Sequence, residues 1–330
     1  MITCPGEPTS ATDLGGPTMR GLRLTLVFLL TVSSGLWALA QAPQAPAAGQ
    51  PAVGQAAGTA APQGRGGRGG RGAQARVRKV VLAWADTRNG QAQHDSVSHA
   101  LAIIARLGYE SGAYDTFIRT DSHIISKTPT KTDGTPASGG PTLNNVDAIF
   151  FMGHREVPID AKQKEDLLSF VRDDGKGFVA AHVGLTAFES WPEFGQLIGA
   201  RFDGHPINGP GVVINEDPAF PATRHLPASF PMTDEFYQAK DFSRDTLHVL
   251  LRLDLTGVTN PGIRRTDGDH PLAWAKMYGK GRVFYGSFAH SHATWDIADV
   301  QRMYYEAIRW SLGLTDAPVT PHPMRGSAAR

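Results

Sequence analysis

Between residues 77 and 313 the chain alternates short, wholly apolar runs with amphipathic stretches of helical period, and this constrains its fold more than any other feature. The runs Arg78 to Ala85 (RKVVLAWA), Asp147 to Met152 (DAIFFM) and Gly177 to His182 (GFVAAH) show no in/out alternation. Strands of that kind are buried on both faces, which happens in parallel sheets covered by helices on each side. The intervening segments supply the helices. Asp95 to Leu107 places Val97, Leu101, Ile104 and Gly108 on one face, with Gly108 able to end it. Asp160 can cap a helix over 161–173, with Gln163 in the capping-box position and Leu167, Leu168 and Val171 as its buried stripe. A helix over about 186–198 follows, and a last one over 298–312 buries Val300, Met303, Tyr304, Ala307 and Ile308 before Gly313. A second strand is expected at Tyr114 to Ile118, then a Pro/Gly-containing polar loop over 119–145. The later part is richer in strands: Gly211 to Ile214, Leu247 to Leu253, Leu272 to Met277 and Arg282 to Phe288, the last two joined by a tight turn at Gly279-Lys280-Gly281.

The ends have a different character. Met19 to Arg23 is basic, Leu24 to Leu39 is mostly apolar, and Ala38-Leu39-Ala40 is a small-residue cleavage site. That order is a secretory signal, the alternative being an uncleaved membrane anchor, for which the apolar run is short, with 1–18 as upstream sequence and Met19 as a candidate start. The expected location is periplasmic or secreted. Residues 41–76, rich in Ala, Pro, Gln and Gly, are expected to form a disordered linker, 77–315 the folded domain and 316–330 a flexible tail. The GRGGRGGRG run from Gly64 to Gly72 is a basic tether suited to weak contact with an anionic envelope surface. Charge is balanced, with 32 basic and 31 acidic residues, so no nucleic-acid partner is expected. The single cysteine, Cys4, precedes the signal, which excludes disulfides, thiolate zinc sites and a cysteine nucleophile in an exported chain.

Ligands of open parallel sheets sit beyond the carboxyl ends of the strands. The polar residues there are Asp86, His154, His182, His290 and His292. His182 ends an apolar strand before a helix, where a nucleophile elbow would sit in a related fold. An imidazole at that point can be a general base, an orienter of hydroxyls or a metal ligand. Gly204-His205-Pro206 is a turn able to hold an imidazole at a pocket rim. Asp234-Glu235-Phe236-Tyr237 sets two carboxylates, able to accept hydroxyls or exchange protons, beside a phenol. In an extended chain His290 and His292 would face the same way, a spacing that suits a metal pair. There is no G-x-S-x-G, no H-E-x-x-H, no G-x-G-x-x-G opening a helix and no cysteine pair.

His94, GFVAAH, Gly204-His205-Pro206, Asp234-Glu235-Phe236-Tyr237, His270-Pro271-Leu272-Ala273-Trp274, Tyr278-Gly279-Lys280-Gly281-Arg282-Val283-Phe284, His290, Trp295 and Trp310 follow one another in an order that resembles the ThuA-like, trehalose-utilisation family over roughly 77–314. The resemblance implies a flavodoxin-like, doubly wound, mostly parallel sheet with added antiparallel strands, as in class I glutamine amidotransferases. It also implies a link to trehalose, other glycosides and keto-sugars made by partner dehydrogenases. Amidotransferases need a cysteine at the elbow. This chain offers His182, so glutamine hydrolysis by that route is not expected.

The expected enzyme processes a glycoside or keto-sugar by hydrolysis, elimination or isomerisation. His182 and Glu235 are its acid/base candidates, and His205, Asp234, Tyr237, His154 and Trp295 its substrate-binding candidates. His94, His182, His205 and His290 are candidate ligands for a divalent metal, zinc or manganese by ligand type. The alternative is a non-catalytic carbohydrate-binding or scaffolding domain, with Trp84, Trp191, Trp274 and Trp295 as stacking faces for sugar rings.

Overall fold

The computed structural model describes residues 78–131 and 133–325. The expected signal over 19–40 and the linker over 41–76 lie outside the described residues. The first half of the domain follows the expected alternation. Strand β1 (Lys79–Trp84) leads to helix α1 (Ser96–Ser111), β2 (Tyr114–Arg119), β3 (Ala148–Phe151), α2 (Ala161–Arg172) and β4 (Gly177–Ala181). A 3-10 turn (His182–Thr186) and α3 (Pro192–Ile198) come next. The second half consists of β5 (Arg201–Phe202), β6 (Ile207–Asn215), β7 (Ser229–Phe236), β8 (Ala239–Lys240), β9 (His248–Leu253), β10 (Pro271–Tyr278) and β11 (Gly281–Gly286). The short α4 (His292–Trp295) and then α5 (Ala298–Ser311) complete it.

Nine strands form one sheet in the order β2-β1-β3-β4-β11-β10-β9-β6-β7, while β5 and β8 pair separately. From β2 to β11 neighbouring strands run parallel, and from β11 to β7 they run antiparallel. The fold is thus α/β with a parallel half and an antiparallel extension, and β11 belongs to both. Its turn from β10 needs a glycine at 279. The φ there is +58°, and a Cβ would lie 2.3 Å from the Arg172 carbonyl oxygen.

Side chains alternate between two cores. Val81, Ala83, Phe150, Val179 and Phe284 pack under α1 and α5, whereas Leu82, Trp84, Phe151, Phe178 and Tyr285 pack under α2 and α3. Asp160 caps α2 as its sequence indicates: its carboxylate accepts the Gln163 N–H, and the Gln163 side chain accepts the Asp160 N–H.

The structure departs from the sequence reading at several points, including the start of α3, strand β7 and the C-terminal segment. Helix α3 begins at Pro192 rather than near 186, because 182–186 close into a 3-10 turn and Phe188 adopts φ +55°. Strand β7, which the apolar pattern did not indicate, pairs with β6 along most of its length and delivers Asp234 and Glu235. Residues 316–325, expected to be part of a loose tail, pack against β9. The His322 ring contacts the Val249 carbonyl, His248 Nδ1 contacts the Thr320 carbonyl, and the Arg325 N–H donates to Glu216.

The tryptophans expected as sugar platforms are core residues. Trp84, Trp274 and Trp295 are fully buried and Trp191 nearly so. Trp295 stacks on Tyr304 at 4.9 Å between ring centroids and meets Phe150 edge-on, so it cannot face a substrate. Among the described residues no helix is long and apolar enough to cross a membrane.

Candidate metal centre

Strand β4 delivers His182 to the carboxyl edge of the sheet, where φ of +36° turns the chain sharply into the 3-10 segment. The backbone is held by Tyr285, whose hydroxyl donates to the His182 carbonyl. The imidazole is completely buried, with its face 4.1 Å from the Tyr237 ring. Its Nδ1 lies 2.6 Å from the Ser287 carbonyl oxygen. A carbonyl only accepts, so Nδ1 carries the proton and Nε2 of the neutral ring presents a lone pair.

That lone pair faces a cluster. His182 Nε2 is 3.2 Å from His290 Nδ1 and 3.4 Å from Glu235 Oε2, and His290 Nδ1 is 3.1 Å from the same Oε2. His94, in the loop before α1, closes the group. Its ring centroid lies 5.2 Å from that of His182 and 4.8 Å from that of His290, and its Nε2 is 3.4 Å from the Tyr237 hydroxyl. One ligand atom from each of His94, His182, Glu235 and His290 fits within 4.8 Å of all the others. Zinc bound tetrahedrally by nitrogen and oxygen at about 2.0–2.1 Å has ligand–ligand edges of about 3.3 Å. Three of the contacts match that edge, and His182 carries the carbonyl partner usual behind a metal-bound histidine. The donor set of imidazoles plus one carboxylate suits zinc or manganese.

Electrostatics keep two of the four, His94 and Glu235, free of protons. Burial, reinforced by His182, His290 and His154, lowers the His94 pKa to about 3. At Glu235 burial pulls upward, but the surrounding imidazoles of His182, His290 and His205 outweigh it and bring the pKa down to about 2. Burial, with Glu235 nearby, pushes the Tyr237 phenol well above its ordinary value, so it remains a neutral wall.

The sequence-derived candidates divide clearly. His94, His182, His290 and Glu235 converge. His205 does not join the cage. It is half exposed, and its Nδ1 sits 3.3 Å from Glu235 Oε1, the oxygen turned away from the cluster. His182, expected as a direct acid/base, is buried with Nδ1 committed, so only Nε2 can act, and it points at the cage. Asp234, expected to bind hydroxyls, is buried. Its oxygens accept the backbone N–H groups of Ala289, His290 and Glu235 at 2.7, 3.2 and 3.0 Å.

Tyr237 is likewise buried beneath the site. His154 stands at the rim, its ring edge-on to His94 and its Nδ1 2.6 Å from the Ala92 carbonyl, and burial lowers its pKa. His292 is not a twin of His290. Helix α4 begins there, which breaks the extended spacing, and the ring contacts the Asp95 carbonyl instead. Asp86 is engaged with Ser122 and the Arg88 N–H. The contribution of Ser287, made through its carbonyl, carries no side-chain signal and was missed by sequence reasoning. The cage opens into a cleft of about 470 Å³ whose walls include Gln93, Asp95, His154, Ser291 and His292.

The chain matches the family model described as "ThuA: Trehalose utilisation" over residues 80–311. It belongs to the ThuA family. Among solved structures, it is similar to a ThuA-like protein from Bacteroides uniformis ATCC 8492, with TM-score 0.56 and 22% identity over 74% of this chain and 95% of that one. A ThuA-like protein from Parabacteroides merdae ATCC 43184 has TM-score 0.51 and 15% identity, over 75% and 98% of the two chains. At these identities the likeness establishes the ThuA fold and nothing finer. No match was found among curated proteins.

Proposed function

We propose that this ThuA protein is an exported, metal-dependent enzyme that processes a glycoside or keto-sugar, with zinc or manganese held by His94, His182, Glu235 and His290. The reading rests on one observation above all. Donor atoms from four distant parts of the chain meet at metal-ligand spacing, and His182, completely buried, is fixed in the tautomer that binds a cation. A cation there would supply a Lewis acid able to polarise a carbonyl or hydroxyl oxygen. The chain's own groups do the rest. His205, exposed and backed by Glu235 Oε1 at 3.3 Å, is placed to carry a proton between solvent and substrate. Gln93, Asp95, Ser291 and His292 offer donors and acceptors to sugar hydroxyls along the cleft.

Sugar chemistry is supported by the family's trehalose-utilisation description, and export by the basic–apolar–Ala-x-Ala order over Met19 to Ala40. A purely carbohydrate-binding role is disfavoured because every tryptophan offered for stacking is buried. The test is turnover of a 3-keto-glycoside by purified protein stripped of metal and reloaded with Zn²⁺ or Mn²⁺. Activity that follows the metal supports the proposal. Sugar binding with no turnover in any metal state favours the binding role instead.

A further inference from the structure

We infer that Asp234 is a positioning residue, a buried clamp that sets His290 against the cage; its relevance to metal rests on the reading above. The segment from Ser287 to His290 leaves β11 by an unusual route. Ala289 adopts φ +82°, a region that L side chains rarely occupy, and so it must be held from outside. The Asp234 carboxylate does this. Oδ2 accepts the Ala289 N–H at 2.7 Å and Oδ1 the His290 N–H at 3.2 Å, with the Thr294 hydroxyl 3.5 Å from Oδ1.

The other end of the segment is fixed independently. The Tyr304 hydroxyl is 2.8 Å from the carbonyls of both Gly286 and Phe288, while at the Asp234 end the Ser96 hydroxyl donates to the His290 carbonyl at 2.7 Å. Tyr304 thus holds the part that presents the Ser287 carbonyl to His182, and Asp234 holds the part that presents the His290 ring to Glu235 Oε2. The adjacent carboxylates therefore divide the work: Glu235 faces the cage, and Asp234 shapes the backbone that carries one of its ligands. A buried carboxylate whose partners are main-chain amides is a positioning group by construction, since burial shuts its oxygens away from any substrate hydroxyl.

In Asp234→Asn an amide NH₂ replaces one acceptor, and one of the two N–H groups then faces a donor. Full-length protein labelled with ¹⁵N in its histidine rings reports this without metal. The expected result is displaced or broadened His290 and His182 ring signals, while those of His225 and His322, remote from the cage, stay in place. Zinc titration of the same samples should show affinity reduced about 10–100-fold, the usual loss when an outer partner of a ligand is removed. Where Asp234→Asn does not fold, the double variant Asp234→Asn/Ala289→Gly tests the same clamp, because glycine occupies the left-handed region without the strain that Asp234 offsets. Its His290 signal should be displaced relative to Ala289→Gly alone, in which the clamp is intact.

Unchanged His290 signals in folded Asp234→Asn, or in Asp234→Asn/Ala289→Gly against Ala289→Gly if the first variant is unfolded, overturn the inference. A wild-type protein that takes up no zinc would overturn the metal reading alone, since the ring signals still decide whether Asp234 sets His290.

Discussion

The Nδ1 of His182 lies 2.6 Å from the carbonyl oxygen of Ser287, a contact across 105 residues that fixes which ring nitrogen faces the cage. The two residues lie just beyond β4 and β11, which are parallel neighbours in register through Gly286 and Ala181. The orientation of the central imidazole is thus a consequence of strand pairing, and the site is as rigid as the sheet that carries it.

His290→Ala is expected to abolish high-affinity metal uptake and turnover with a small change in stability. Its ring is partly exposed, unlike that of His182. Truncating His182 would also open a cavity in a buried region and cost about 2–4 kcal/mol, which confuses loss of chemistry with loss of fold. Calorimetric metal titration together with the thermal midpoint separates the two effects.

His205→Ala should lower kcat about 10²–10⁴-fold, the range for loss of a general acid/base, and leave metal stoichiometry unchanged. The ring meets Glu235 at its outer oxygen, Oε1, and not at the oxygen that faces the cage. Restoration of turnover by added imidazole would identify its role as proton transfer. A loss of bound metal in this variant would place His205 among the ligands.

Removing the metal with a chelator should lower the thermal midpoint as well as activity, because a ligand bound only by the folded chain adds to its stability. Returning Zn²⁺ or Mn²⁺ should restore both. Differential scanning fluorimetry with and without chelator provides the comparison.

Stability is expected to fall on mild acidification, before the carboxylates titrate. Burial lowers the His270 pKa to about 4 and also holds His225 and His154 below the ordinary value of 6.5. Between about pH 6.5 and 4 the unfolded chain takes up protons that the folded chain refuses at these rings, so stability declines as pH falls through that window. The thermal midpoint of the metal-free protein measured from pH 7.5 to 4.5 should therefore drop steadily. His270→Phe should flatten part of the slope.

The parallel half of the sheet was legible because its strands are uniformly apolar and its helices carry their own caps, as at Asp160 and Gln163. His182 could be singled out because it ends such a strand. The antiparallel edge was harder to discern. In β7 the run Phe230-Pro231-Met232-Thr233-Asp234-Glu235 mixes proline with two carboxylates that are buried for the sake of the site, so its apolar pattern is broken where the chemistry lies. The fate of Asp234 could not be read either, since its partners are main-chain amides some 55 residues away. His290 and His292 looked paired on extended spacing, but the left-handed turn at Ala289 and the start of α4 separate them. Trp295 looked accessible by its place near the histidines and is instead sealed under α5.

Anomalous diffraction at the zinc edge from crystals of the full chain grown with Zn²⁺ tests the central claim most directly. The account requires one strong peak bonded to His94, His182, Glu235 and His290, absent from His290→Ala crystals treated in the same way. A cage with no peak, or a peak bound elsewhere with these four side chains left hydrogen-bonded to one another, would contradict it.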